Sequence, residues 1–287
     1  MGIAPTVGYW MYDLYRREVF DGCTSVIEIG PSHFWWDGKG LQRFLKKYIS
    51  DETKRKRFLG QLTMRKGRLE QDIALGFYEL LGITDYEAID FGDAGATLKH
   101  DLNFPLELKR QYDVVADFGT IEHIFNIGEA FRTVHNLVRS GGVMVHGLPT
   151  FGGYYHGFYN IHAWTFKSLA YANDYEMIDL FYVHDIEVER ARVEKRDFAK
   201  FEDIKNKEVR LQHVKFFFNY FSSVAKRKER TNSYILAAFR KKTDSEFVFP
   251  QQMNKYAIDS DTQLWDATMR QQNETVRNSM TSENKNT

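Results

Sequence analysis

Two short stretches of this chain gather side chains that can move protons. Asp117-Phe118-Gly119-Thr120-Ile121-Glu122-His123 holds two carboxylates and an imidazole, and His156-Gly157-Phe158-Tyr159 adds a second imidazole and a phenol. An imidazole titrates near neutral pH, so His123, and His156 with its neighbour Tyr159, suit general acid–base work or contact with a bound substrate. Asn160 and His162 follow in the run Phe151 to Trp164, whose glycines, rings and polar groups suit a substrate-binding loop more than a core. Packing of rings in a lid is the alternative for that run, and packing against Glu122 is the alternative for His123. No His/Asp/Glu set has the i, i+4 spacing of a helical zinc site, and no G-x-x-x-x-G-K-[ST] phosphate loop is present, so no metal is expected.

These groups need elements that present them together. Asp113-Val114-Val115-Ala116-Asp117 reads as a strand covered on both faces, with polar residues crowding its carboxyl end. In an open parallel α/β sheet that edge is where ligands bind, which is the position given to Asp117, Gly119, Glu122 and His123. Ile127, Ala130, Phe131, Val134, Leu137 and Val138 then recur at helical spacing, and Gly141-Gly142 ends the helix before Val143-Met144-Val145. Upstream, Ser25 to Gly30 reads as a buried strand ending in Glu28 and in a glycine whose backbone a ligand can approach closely. Tyr86 to Asp90 is a second strand ending in a carboxylate, the group that accepts both hydrogen bonds of a ribose diol. Past Leu98, Asp101 suits an adenine amino group and the Leu102 amide a ring nitrogen. Asp90 has a second reading as a cap of the next helix, and Glu28 one as a buried carboxylate accepting amides.

D-F-G-T-I-E-H-I-F-N from Asp117 to Asn126, H-G-F-Y from His156 to Tyr159 and H-D-L-N from His100 to Asn103 carry a resemblance. The chain resembles class I S-adenosylmethionine (SAM)-dependent methyltransferases, especially a bacterial subgroup with D-x-G-T-x-E-H-x-F-N followed by H-G-F-Y. The resemblance covers roughly Ser25 to Arg240. It implies an α/β fold, a Rossmann-like seven-stranded sheet of order 3-2-1-4-5-7-6, closed by Tyr175 to His184 and Ser233 to Arg240. It also implies SAM across the first, second and fourth strand ends, held by Glu28, Gly30, Ser32, Asp90, Asp101, Leu102, Asp117 and Gly119. His156, His123 and Tyr159 then act as catalytic groups, with Glu122, Asn160 and His162 on the substrate. The implied acceptor is a small molecule or saccharide methylated on oxygen or nitrogen, and an oxygen acceptor must lose a proton, for which His156 is suited.

Two departures accompany the resemblance. The usual E/D-x-G-x-G loop has Ser32 at its second glycine, a residue small enough for the methionine tail but averse to positive φ. The first and second strands stand about twice as far apart as one crossover helix requires, so about 37–82 reads as a helical insertion, a cap or substrate-facing element with helical patterns at Leu41 to Ile49 and Gln71 to Leu81. A nicotinamide-dependent oxidoreductase would need G-x-G-x-x-G, which Gly30-Pro31-Ser32-His33-Phe34-Trp35 does not supply. A methyltransferase-like fold kept as a non-catalytic binding or assembly module is the remaining alternative, supported by the altered first loop.

The composition narrows the class. A length of 287 residues with 43% hydrophobic residues supports one elaborated α/β domain. Lys plus Arg equals Asp plus Glu at 39 each, so no basic field draws in nucleic acid or an anionic membrane. A single cysteine, Cys23, excludes an intrachain disulfide framework and fits a reducing compartment. No apolar run has spanning length and Met1 to Trp10 lacks a signal-peptide pattern, which makes the cytoplasm the expected location. The expected organisation is an N-terminal segment 1–24, a catalytic domain 25–240, and a polar tail 241–287 that is partly disordered or helical, with a possible helix from Asp261 to Met280. Phe216 to Phe221 reads as packing, and Asp51 to Arg57 and Lys226 to Arg230 as solvated helix faces.

Overall fold

The computed structural model describes residues 2–61, 64–65, 68–69, 74–152, 156–184, 198–200 and 232–251. Eight strands form the main sheet: β1 (Ser25–Ile29), β2 (Asp85–Asp90), β3 (Leu98–Lys99), β4 (Tyr112–Asp117), β5 (Val138–Gly152), β6 (Tyr175–His184), β7 (Phe198–Lys200) and β8 (Asn232–Lys241). Their order is β7-β6-β8-β5-β4-β1-β2-β3. β3, β2, β1, β4 and β5 run parallel, whereas β8 pairs antiparallel with both β5 and β6. Leaving out the short edge strand β7, this is the expected order 3-2-1-4-5-7-6. β7 pairs antiparallel with β6 and makes an eighth strand that the sequence does not announce.

Strand alternation divides the core into two layers. Val26, Val114, Ala116, Val143, Val145, Leu236 and Ala238 point to one face, where α1 (Pro5–Arg16) and α2 (Gly38–Tyr48) pack. Ile27, Val115, Met144, Ile235, Ala237 and Phe239 point to the other, under α5 (Ile127–Leu137) and α6 (Ala163–Ala172). α3 (Glu52–Gln61) and α4 (Ala74–Leu80) complete the first layer through Phe58, Phe77 and Tyr78. Asp37 caps α2 by accepting from the Gly40 amide at 2.7 Å.

This packing adds detail that the expected organisation does not carry. The N-terminal segment is part of the core: Trp10 donates to Asp179 of β6 at 2.9 Å, Arg17 pairs with the same carboxylate, and Met11 and Leu14 are fully buried. The insertion also builds core, because Leu41, Phe44 and Leu45 sit on one face of α2 at helical spacing and cluster with Trp36 and α1. The tail does not start at 241. Lys241 closes β8 with its ammonium buried, donating to the carbonyls of His135 and Val138 at 2.9 and 3.1 Å. Val248 exchanges two hydrogen bonds with Asn173, so 242–251 is docked chain. The first two residues of α6, Ala163 and Trp164, take up the end of the stretch from Phe151 to Trp164 that reads as loop. The expectations for Phe216 to Phe221, Lys226 to Arg230 and Asp261 to Met280 lie outside the described residues. Among the described residues no helix is long and apolar enough to cross a membrane.

Candidate functional site

The carboxyl ends of β1, β2 and β4 carry the loops on which the sequence places its chemistry. Gly30 turns sharply out of β1 at φ +75°, and a Cβ there would lie 2.1 Å from Thr120 Oγ1, so the β1 and β4 loops touch at a point only glycine allows. Gly119, at φ +97°, makes the matching turn after β4. Glu28 is fully buried: Oε2 accepts from the Ser32 amide at 2.7 Å and the Tyr86 hydroxyl at 2.8 Å, and Oε1 from the Tyr78 hydroxyl at 2.9 Å. Burial pushes its carboxyl above the usual range, against the lowering effect of those bonds. Glu28 therefore organises the loop from beneath, and Ser32, 3% exposed, takes part through its amide. Asp117 is enclosed in the same way, accepting from the amides of Thr120 and Ile121 at 3.0 and 3.3 Å and facing His146 Nδ1 at 3.2 Å. Both carboxylates accept from protein donors, the second reading that the sequence gives Glu28.

Asp90 is different. Its Oδ1 accepts from the amides of Gly92 and Asp93 at 2.7 and 2.8 Å, which fixes the carboxylate plane, and no protein donor meets Oδ2 among the described residues. A Cβ at Gly92 would meet nothing within 4 Å, so the space beside that carboxylate is open. Phe91, 76% exposed, adds an apolar ring there that the sequence reading passed over. Asp101 accepts from the backbone and side-chain nitrogens of Asn103 at 3.0 and 2.8 Å, which holds its carboxyl below the usual range. Asn103 in turn accepts two hydrogen bonds from Asn126, one at its side-chain oxygen and one at its carbonyl, tying the loop after β3 to the loop after β4. Leu102 is buried, 4% exposed, and packs into the core layer under α5.

The two proton-moving stretches meet. Glu122, fully buried, accepts at its carbonyl from the amides of Phe158 and Tyr159 at 2.8 and 3.3 Å, and its Oε1 lies 3.1 Å from His156 Nε2. A Cβ at Gly157 would lie 2.6 Å from the Glu122 carbonyl oxygen, so the glycine of H-G-F-Y exists to let this loop close on Glu122. His123 Nε2 is 3.8 Å from the same Oε1, and its ring stands 4.6 Å from that of His156. Burial pushes the His123 imidazole down, His156 adding to the effect and Glu122 opposing it. The second oxygen, Glu122 Oε2, is buried and has no hydrogen-bond partner among the described residues. The sequence spacing hides this Glu122, His123, His156 cluster, whose ligand-type atoms all lie within 4.8 Å of one another. It therefore bears on the expectation of no metal.

Three further residues have other places than expected. Tyr159 donates its hydroxyl to the Phe125 carbonyl at 2.8 Å and so straps the loop. His162 is the N-cap of α6, Nδ1 accepting from the Trp164 amide at 3.2 Å, and lines an apolar cavity of about 340 Å³ with Phe131, Trp164 and Phe249. Asn160 is exposed. The sequence reading missed Tyr78, Tyr86, Asn103 and Gly157. Only Gly157, a glycine between two candidate site residues, left a signal.

No protein-family model matches the chain, and no curated protein matches it. Solved structures do. DesVI of Streptomyces venezuelae is 15% identical with a TM-score of 0.27, covering 50% of this chain and 49% of that one. A sugar N-methyltransferase from a Streptoalloteichus species is 14% identical with a TM-score of 0.27, covering 48% and 46%. The chain thus spans about half the length of these two. A SAM-dependent methyltransferase from Archaeoglobus fulgidus is 13% identical with a TM-score of 0.36, covering 81% of this chain and 94% of that one.

Proposed function

We propose that this protein is a SAM-dependent methyltransferase acting on an oxygen or nitrogen of a small-molecule or sugar-like acceptor. The observation that carries the reading is the Glu122–His156 contact between the loops after β4 and β5, on the same sheet edge as the β2-terminal carboxylate of Asp90. An adenosyl group fits the residues on that edge: Asp90 Oδ2 is open to a ribose diol, Phe91 offers a ring face, and the Gly30 turn lets backbone approach. Glu28 and Asp117 shape the two loops without contacting the ligand. Bound there, SAM supplies an electrophilic methyl group. The protein's part is to align the acceptor and to make its attacking atom nucleophilic beside Glu122, His123 and His156. For a hydroxyl, that means either taking its proton, which the imidazole of His156 can do, or holding the oxygen on a cation. Most of the rate enhancement then comes from alignment in a closed cleft.

Cofactor binding tests this directly. SAM or S-adenosylhomocysteine at a hundred times its dissociation constant should add about 2.7 kcal/mol of stability, read as a rise in melting temperature, while NAD should add none. Stabilisation by NAD alone would overturn the reading. Failure of both SAM and its demethylated product to bind would favour a non-catalytic module.

A further inference from the structure

The buried, unpartnered Glu122 Oε2 needs an explanation. An ionised carboxylate taken out of water is expensive unless its oxygens are paired, so a carboxyl that keeps one oxygen without a partner among the described residues has ligand capacity left over. Its other oxygen already faces two imidazole nitrogens at 3.1 and 3.8 Å. Metal–ligand bonds of about 2.0–2.2 Å in tetrahedral geometry set donor atoms about 3.3–3.6 Å apart; the two distances bracket that spacing, and all three ligand atoms lie within 4.8 Å of one another.

We infer that Glu122, His123 and His156 form a binding site for a first-row transition-metal dication. Two imidazoles and one carboxylate select zinc, cobalt, iron or manganese over magnesium or calcium, which prefer all-oxygen shells. The site is built before the ion arrives: Gly157 lets His156 close on Glu122, and the Phe158 and Tyr159 amides pin that closure to the Glu122 carbonyl. It is also open on one side. The side chains of His156 and His123 are 30% and 43% exposed while that of Glu122 is fully enclosed, so three protein ligands leave coordination positions facing solvent. The ion takes the place of any proton on His156 Nε2, which leaves to solvent, and His156 becomes a ligand. An acceptor hydroxyl bound at an open position has its pKa lowered and releases its proton to solvent. Ion binding stands on the cluster alone; only this last role rests on the proposed methyl transfer.

The test titrates chelator-stripped protein with zinc chloride and cobalt chloride by calorimetry. One ion per chain is expected, with a visible cobalt absorption and no competition from an equal concentration of magnesium. Changing a group that merely supports a metal ligand costs about 10–100-fold in affinity, so loss of a ligand in His123→Ala or Glu122→Gln should cost at least about tenfold. His123 is exposed, so His123→Ala keeps the test decisive if the buried Glu122→Gln change prevents folding. The inference is overturned if wild type binds no stoichiometric ion, or if His123→Ala binds as wild type does, which would assign the ion to others of the nine histidines. SAM is titrated separately. Ion binding without SAM binding keeps the site and removes the methyltransferase reading; SAM binding without ion binding removes the site alone.

Discussion

Gly157→Ala probes the joint on which the site depends. The added Cβ would stand 2.6 Å from the Glu122 carbonyl oxygen and 2.9 Å from its Cγ, and ordinary contact starts near 3.4 Å, so the loop must retreat by about 0.8 Å. The obstacle is backbone that cannot swing aside. Retreat by that amount stretches the Phe158 bond from 2.8 Å and the Tyr159 bond from 3.3 Å beyond hydrogen-bonding range. At about 1 kcal/mol net for each bond, the closed loop loses about 2 kcal/mol. The Phe158 and Tyr159 amides should then exchange with deuterium about 30-fold faster, at 1.4 kcal/mol per tenfold. The same retreat carries His156 away from Glu122, and a misplacement of about 1 Å costs about 100-fold in rate. SAM affinity should stay unchanged, since Asp90 and the Gly30 turn lie on other loops. Exchange in Gly157→Ala within threefold of wild type would show that the glycine is not what permits closure.

Two other outcomes follow from the same geometry. Asp90→Asn keeps an oxygen for the Gly92 and Asp93 amides but removes the charge, so SAM affinity by calorimetry should fall by about 1.5–3 kcal/mol with the fold intact; unchanged affinity would move the ribose elsewhere. His135 should make the domain acid-sensitive: burial, with the nearby Lys241 charge adding to it and the Ser245 carbonyl and Asp244 opposing, pushes its imidazole down to about 4. Its Nε2 donates to Ser245 and its Nδ1 receives the Tyr175 hydroxyl, so the neutral ring is the native form. A folded pKa below the unfolded 6.5 means the contribution is fully present above pH 6.5 and is lost as pH falls toward 4. It amounts to about 3 kcal/mol at 1.36 kcal/mol per unit. Urea unfolding at pH 7.5 and 4.5 should show a smaller drop in His135→Gln; equal drops would remove His135 from the account.

The sheet was readable because its signals are local. β2 and β4 are short β-rich runs ending in carboxylates, β1 carries one next to its last residue, and β6 begins and ends at Tyr175 and His184 as the resemblance implies. The helix from Ile127 declares itself by spacing alone. Side-chain direction was not readable. Glu28 and Asp90 both end a strand, but the hydroxyls that claim Glu28 come from Tyr78 and Tyr86, 50 and 58 residues away, and nothing in a linear pattern links them. His162 looks like a loop residue until α6 is seen to begin after it, because it stands in the glycine- and ring-rich run that ends at Trp164. The Glu122–His156 contact spans 34 residues, and both partners were singled out separately; only the Gly157 contact shows why they meet.

The place of β8 has a consequence for synthesis on the ribosome. β5 ends at residue 152 and its antiparallel partner begins only at 232, so roughly 80 residues must be made before that edge of the central sheet can be covered. At about 5–20 residues per second, β5 waits about 4–16 s. β6 cannot substitute, because in the finished sheet it pairs with β8 and not with β5. Through that interval a long strand presents unpaired amides and carbonyls, the template on which chains aggregate. Asp179, on β6, is also the anchor that Trp10 and Arg17 need, so the first helix made is among the last to be secured. The chain therefore passes through a window in which α1, β5 and β6 all await β8, the stage at which a nascent-chain chaperone has the most surface to protect.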